Sequence, residues 1–323
     1  MGGLSRKLVA VNSMRQEGRD PVILDAGDLF FSTPELNDSN RVSEQFRANA
    51  ILKGYGKISC DAINVGRYEL SAGLEFLLES ARKSTTPFIS ANLRDADTYK
   101  LLFEPYLLIQ RQGLTIGVVG LTNLVPKTTS TVVMEDYLAA GRRTIDRIRG
   151  RADVVVVLVN SERKSYGILP QEFPKADLIY TSGSTMMTRP MMKQAEEGPF
   201  LYSSGREGRY LNVTDLNIVD KKKPLVNVSY LQENIKYTRR KLDRLGDADP
   251  EKSLDELYAG QENVLNTISR GRASIARAAV ALESAVNTLH FQNVAMDKSI
   301  KDDTDMAAFV SQSLTTCSGL IKK

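Results

Sequence analysis

Two carboxylates, Asp25 and Asp28, close the apolar stretch PVILDAGD. A third, Glu69, stands just beyond the stretch DAINVG, and Asn160 ends the run ADVVVVLVN. Acidic and amide oxygens collected at strand ends suit two kinds of chemistry. They can hold a hard divalent cation such as Mg²⁺ or Mn²⁺, or they can cap strand ends and accept turn hydrogen bonds. For Asp25, Asp28 and Glu69 the second use is the expectation, and Ser182-Gly183-Ser184 reads as an ordinary turn. Arg67 and Tyr68 sit between Gly66 and Glu69, so a cationic side chain stands in the loop where a cation would bind. Arg67, Arg163, Lys164, Arg206 and Arg209 form a second set; gathered on one rim they would bind an anion.

The chain has 323 residues, 43 basic and 39 acidic side chains, and 42% hydrophobic content. Those are the proportions of a soluble globular protein of one large or two ordinary domains. A formal charge of +4 is too even a balance to imply nucleic acid. The single histidine, His290, excludes a histidine-rich metal centre. Two cysteines, Cys60 and Cys317, exclude both a disulfide framework and a cysteine zinc cluster. No apolar run approaches the roughly eighteen residues of a membrane span. The opening MGGLSRKLVAVNSMR lacks the apolar centre of a signal peptide, so the chain is expected in the cytoplasm if Met1 is its true start.

The elements that must position these residues alternate. Leu4 to Arg15 has helical spacing, PVILDAGD is a strand, and SNRVSEQFRANAILKGYG is a helix capped by Ser39 or Asn40. DAINVG and PFISANL are strands flanking the helix AGLEFLLESARK. Residues 101–123 read as a hairpin turning at Gln112-Gly113. A helix, the run ADVVVVLVN, the strand KADLIYTSGS and two short strands follow. Strands alternating with helices imply an α/β sheet whose ligands gather beyond the strand ends. After residue 226, Leu231, Ile235, Leu242 and Leu245 recur at helical spacing, and a longer stripe runs from Leu254 to Leu289. This predicts a helical hairpin over 229–289, with Ser253 or Asp249 restarting the pattern. The basic stretch KYTRRKLDRL within it reads as a solvated helix face.

The order of the segments resembles the metallophosphatase domain of the 5′-nucleotidase family, within the calcineurin-like phosphoesterases. VILDAGDLFFSTP, CDAINVGRYELSAGLEFL, TPFISANL, LFEPYLLIQRQGLTIGVVGLTN, ADLIYTSGST and SSGREGRYLNVTDL each look like that family's segments, collinearly from Gly2 to Leu216. The resemblance implies a sandwich of two β-sheets flanked by helices with an added helical hairpin. The phosphoesterase-like domain would cover 1–228, interrupted by the 229–289 insertion and closed by 290–323. The family's first strand and its ligand pair would lie ahead of Gly2.

The family's chemistry uses two metal ions. Carried over residue by residue, its bridging aspartate is Asp28. Its other ligand positions fall on Arg67, Tyr68, Asn160, Gly183 and Thr185, so Asp28 alone is retained. The expectation is a catalytically degenerate relative with no cofactor. Arg67 would replace the metal charge by a two-point pair with Asp28 or Asp25, and Tyr68 would fill the vacated volume. Such a protein would act in binding or assembly, through the cleft or through self-association or a protein partner at the hairpin. The alternative is a divergent phosphohydrolase acting on nucleotides or other phosphate monoesters, with Mg²⁺ or Mn²⁺ held by Asp25, Asp28, Glu69 and Asn160. By resemblance the protein is expected in the periplasm or outside the cell.

Overall fold

The computed structural model describes residues 3–321 except 32, 34, 128, 196 and 197. Contacts divide it into two compact units. The first comprises Met1–Thr188, Gln194–Leu211 and Ala295–Lys323; the second comprises Arg189–Lys193 and Asn212–Val294.

Apolar runs too short for helices make the sheets of the first unit. Leu24–Asp25, Ala62–Asn64 and Phe88–Ile89 pair in parallel as a three-stranded sheet. A five-stranded sheet runs in the order Phe200–Ser203, Leu178–Ser182, Val154–Asn160, Leu114–Thr122, Tyr106–Arg111. Its neighbours are parallel except the last pair, which is the predicted hairpin. Gln112 and Gly113 both adopt positive φ, 47° and 78°, as the tight turn requires. Val154–Asn160 is buried at every residue, which explains why it reads as an unbroken apolar run rather than an alternating one.

Each sheet carries its own helical cover. Leu4–Gln16, Arg41–Ile58, Leu74–Lys83 and Thr304–Gly319 enclose a core containing Leu4, Val11, Phe30, Leu52, Ile63, Leu77, Phe88 and Met306. Tyr137–Arg149 and Leu169–Glu172 cover the five-stranded sheet over Val119, Leu121, Ile148, Val157 and Phe173. Asn40 does stand at the start of the Arg41–Ile58 helix, but its side chain accepts from the Asn37 N–H and not from the helix.

Tyr210–Asn217, Asn287–Ala295 and Leu225–Asn227 form a three-stranded sheet in that order, all of it but Tyr210, Leu211 and Ala295 in the second unit. The predicted hairpin is present as Val228–Gly246 and Glu262–Glu283, joined through the short helix Leu254–Leu257. Ser253 and Glu256 close a reciprocal capping box at that short helix. The hairpin is shorter than expected: the second arm ends at Glu283, and Asn287–Leu289 belong to a strand. Val286 and Leu289 continued the apolar stripe because a buried strand and a helix both supply apolar residues there.

Candidate functional site

The strand ends of the first unit converge as the alternation of elements implies. Past Leu24–Asp25, the chain turns at Gly27 and Asp28, both with positive φ, 96° and 63°. A left-handed aspartate is uncommon, and its short polar side chain lowers the cost by local hydrogen bonding. The Asp28 carboxylate accepts the Tyr68 N–H at 3.0 Å. Burial pushes its pKa up, opposed by hydrogen bonds from the Tyr68 N–H, the Asn160 amide and the Arg67 N–H, and least by the Arg67 charge.

Glu69 is fully buried and ties two loops together. One oxygen accepts the N–H groups of Leu29 at 2.7 Å and Phe30 at 3.0 Å. The other accepts those of Asp28 at 2.9 Å and Gly66 at 2.8 Å. Burial first, and the neighbouring Asp28 carboxylate second, push the Glu69 pKa up to about 7 despite these donors.

Asn160 makes the third tie. Its carbonyl accepts the Arg67 N–H at 3.1 Å, and its amide donates to Ser182 Oγ at 2.8 Å. Ser182 Oγ donates onward to the Ala26 carbonyl at 2.6 Å. Asn64 reaches the same carbonyl at 3.0 Å and the Leu121 carbonyl at 2.9 Å. Strand ends from both sheets are thereby laced by side-chain hydrogen bonds.

Three expectations are corrected by this geometry. The pair of Arg67 with Asp28 or Asp25 does not form: Arg67 is exposed and makes no ion pair among the described residues. Its backbone N–H is directed inward to Asn160, which turns the guanidinium out to water. Asp25 instead accepts the Tyr55 hydroxyl at 2.7 Å and the Gly27 N–H at 2.9 Å. The anion rim is not assembled either. Arg206 and Arg209 both turn to Glu207, at 3.9 and 2.6 Å, and Lys164 turns to Glu162 at 2.6 Å. Arg163 is exposed, apart from these pairs. Nor do Asp25, Asp28, Glu69 and Asn160 offer a joint oxygen site. Glu69 spends both oxygens on four backbone donors, and Asn160 spends its carbonyl on Arg67. Among the described residues no three His, Cys, Asp or Glu side chains group as metal ligands.

The remaining expected positions fall as follows. Tyr68 is half-buried and packs against the core around Phe30. Gly183 has φ 85°, and a Cβ there would lie 2.7 Å from the Ser161 carbonyl. Thr185 is exposed.

Sequence reasoning overlooked Lys7, Tyr55, Asn64 and the Ser182 hydroxyl. The Lys7 ammonium lies 5.6 Å from the centre of the Tyr55 ring. Burial lowers its pKa, and the attraction of Asp25 partly restores it. The cation near Asp25 is therefore Lys7, while the Arg67 charge reaches Asp28 only weakly. A signal existed: Lys7 falls on the Leu4, Val11 stripe of its helix, and Asn64 interrupts a buried strand.

With the guanidinium in water, Arg67→Ala is expected to change unfolding free energy by no more than about 0.5 kcal/mol. Urea denaturation measures this, and a loss above about 1 kcal/mol would reinstate the ion pair.

No family profile matches the chain. It is 32% identical over 124 residues to a 5′-nucleotidase of Vibrio cholerae, covering 37% of this chain and 21% of that one. Among solved structures, a calcineurin-like phosphoesterase of Bacillus subtilis superposes with a TM-score of 0.62 at 13% identity, over 98% of this chain and 90% of the other. The chain is related to the 5′-nucleotidases and has the calcineurin-like phosphoesterase fold. The sulfate thiohydrolase SoxB of Thermus thermophilus shares that fold, with a TM-score of 0.66 at 15% identity over 98% of this chain and 47% of its own. The chain spans about a fifth of the length of the curated 5′-nucleotidases it matches. No helix among the described residues is long and apolar enough to cross a membrane.

The two-metal chemistry associated with this 5′-nucleotidase-like fold does not fit the described residues. Metal-ligating carboxylates are themselves hydrogen-bonded, so the donor set decides. Of the carried-over positions Asp28 alone keeps a carboxylate, Arg67 and Gly183 offer no side-chain ligand, and no three His, Cys, Asp or Glu side chains group among the described residues.

Proposed function

We propose that this 5′-nucleotidase-like chain acts by binding or assembly and not by metal-assisted hydrolysis. The observation that supports this reading is the Glu69 carboxylate, whose two oxygens accept four backbone N–H groups from two loops. A carboxylate so engaged could ligate a metal only by releasing buried donors, each costing about 1–3 kcal/mol. The strand-end loops then persist as architecture, and the function lies in surfaces the fold presents.

A second reading, a metal-dependent phosphohydrolase, is favoured by the named activity of the 5′-nucleotidase relatives. One experiment separates the two. Protein purified without chelator is assayed with an aryl phosphate and a nucleoside monophosphate in Mg²⁺, Mn²⁺ or Zn²⁺, while thermal stability is followed. The expected result is no metal-dependent turnover and no metal-induced shift in Tm. Turnover that Asp28→Ala abolishes would overturn the binding reading and establish the hydrolase.

A further inference from the structure

The outer face of the Val228–Gly246 helix presents cations without partners. Asn234, Thr238 and Leu242 turn toward the second arm of the hairpin. Asn234 donates to Ser274 Oγ at 3.1 Å, and a Cβ on Gly271 would meet Thr238 at 3.3 Å and Leu242 at 3.4 Å. The positions between them point away: Lys236, Arg239, Arg240, Lys241 and Arg244 are all exposed. Lys236 pairs with Glu233 at 3.5 Å. The other four have no carboxylate at ion-pair distance among the described residues. Asp243 is the acid interspersed with them. Gln232, Ile235, Lys236, Arg239 and Arg240 line a shallow depression of about 430 Å³.

Opposite charge lies at the end of the same hairpin. The connection from Asp247 to Glu262 carries Asp247, Asp249, Glu251, Asp255, Glu256 and Glu262 against a single cation, Lys252. Lys252 pairs with Asp249 at 2.8 Å, and Asp255 takes Arg272 of the second arm at 2.6 Å. Asp247, Glu251 and Glu262 are exposed and without a cation among the described residues. Positive and negative stretches that follow one another along one hairpin are self-complementary when two hairpins pack antiparallel about a twofold axis. Each stretch then meets its opposite, twice over, as an isologous interface requires.

We propose that the hairpin pairs with the hairpin of a second copy of this chain, the cationic helix face of each protomer against the acidic turn of the other. The cationic face spans about 12 Å of helix between residues 236 and 244. Charges at this spacing are largely screened beyond roughly a Debye length of 10 Å at 0.1 M salt, so the pairing is salt-sensitive. The inference deepens the assembly reading, yet sedimentation and hydrolysis are read separately, so either can fail alone.

The test is sedimentation velocity of the full chain over a concentration series, at about 0.05 M and about 0.5 M salt. The expected result is a dimer whose dissociation constant rises at least about tenfold with salt. R239E/R240E/K241E and D247K/E251K should each be monomeric at low salt with unchanged circular dichroism. Mixed together, they should form a heterodimer, because the reversed faces again match. Wild-type protein that stays monomeric at low salt overturns the proposal, as does a dimer indifferent to both reversals. Monomeric protein that adsorbs to phosphatidylserine vesicles, or to heparin, overturns it too and assigns the face to a polyanion.

Discussion

Replacing Glu69 by Ala is expected to cost on the order of 4 kcal/mol of stability, a large part of what a domain of this kind has. The side chain is fully buried, and its removal leaves the N–H groups of Asp28, Leu29, Phe30 and Gly66 without their acceptor. Water entering the vacated space would recover some of these bonds, so the cost is less than four full desolvation penalties. Urea unfolding of Glu69→Ala provides the check, and a loss below about 1 kcal/mol would mean the loops hold without the tie.

The same residue makes a pH prediction whose sign follows from its raised pKa. In the unfolded chain a glutamate titrates near 4.5, and in the fold burial and Asp28 move Glu69 up to about 7. Between these values the folded state holds the proton more firmly. The group's contribution is therefore fully present below pH about 4.5 and is lost as pH rises toward 7, a change on the order of 3 kcal/mol at most. Glu69→Gln removes the titration, so its stability should vary less across this window than that of the parent. The readout is the slope against pH, since an amide matches the four donors less well and lowers stability throughout. Parallel curves for parent and variant would assign the titration elsewhere.

The second large effect is expected at Gly66. A Cβ there would lie 2.6 Å from the Asp28 nitrogen, 2.8 Å from its carboxylate and 3.0 Å from the Asn160 amide. All three atoms are already committed to the lacing of the loops, and the nearest is backbone, which has little room to yield. Gly66→Ala should cost about 2–4 kcal/mol, comparable to severe overpacking. The loss should appear without any exposed surface change, and a drop in Tm with retained secondary structure would show it. Stability within about 0.5 kcal/mol of the parent would mean that the loops separate easily. They would then not be the rigid lacing described above.

Much of the chain's local structure is determined by its sequence alone. The run Val154–Asn160 could be little other than a buried strand, Gln112-Gly113 little other than a hairpin turn, and Ser253 with Glu256 carries a capping box in its spacing. These signals depend on residues near one another along the chain, where periodicity and turn chemistry act directly. The convergence of Asp28, Gly66, Glu69 and Asn160 was also legible, because strand ends in an α/β sheet meet at one edge.

What each side chain does on reaching that edge was decided by tertiary structure. Glu69 finds three of its four donors about 40 residues away along the chain. Lys7, and not the expected Arg67, comes near Asp25 because direction, not sequence distance, decides which cation approaches an acid. The Arg67 N–H points inward and its guanidinium outward, whereas the Leu4–Gln16 helix lays Lys7 across the Tyr55 ring, whose hydroxyl binds Asp25. The free cations of the Val228–Gly246 helix follow the same logic. Composition places acids beside them, but a helix turns side chains by its own period, so near neighbours along the chain point away from one another. Charge is written in the sequence; which charges meet is settled only when the backbone has given every side chain its direction.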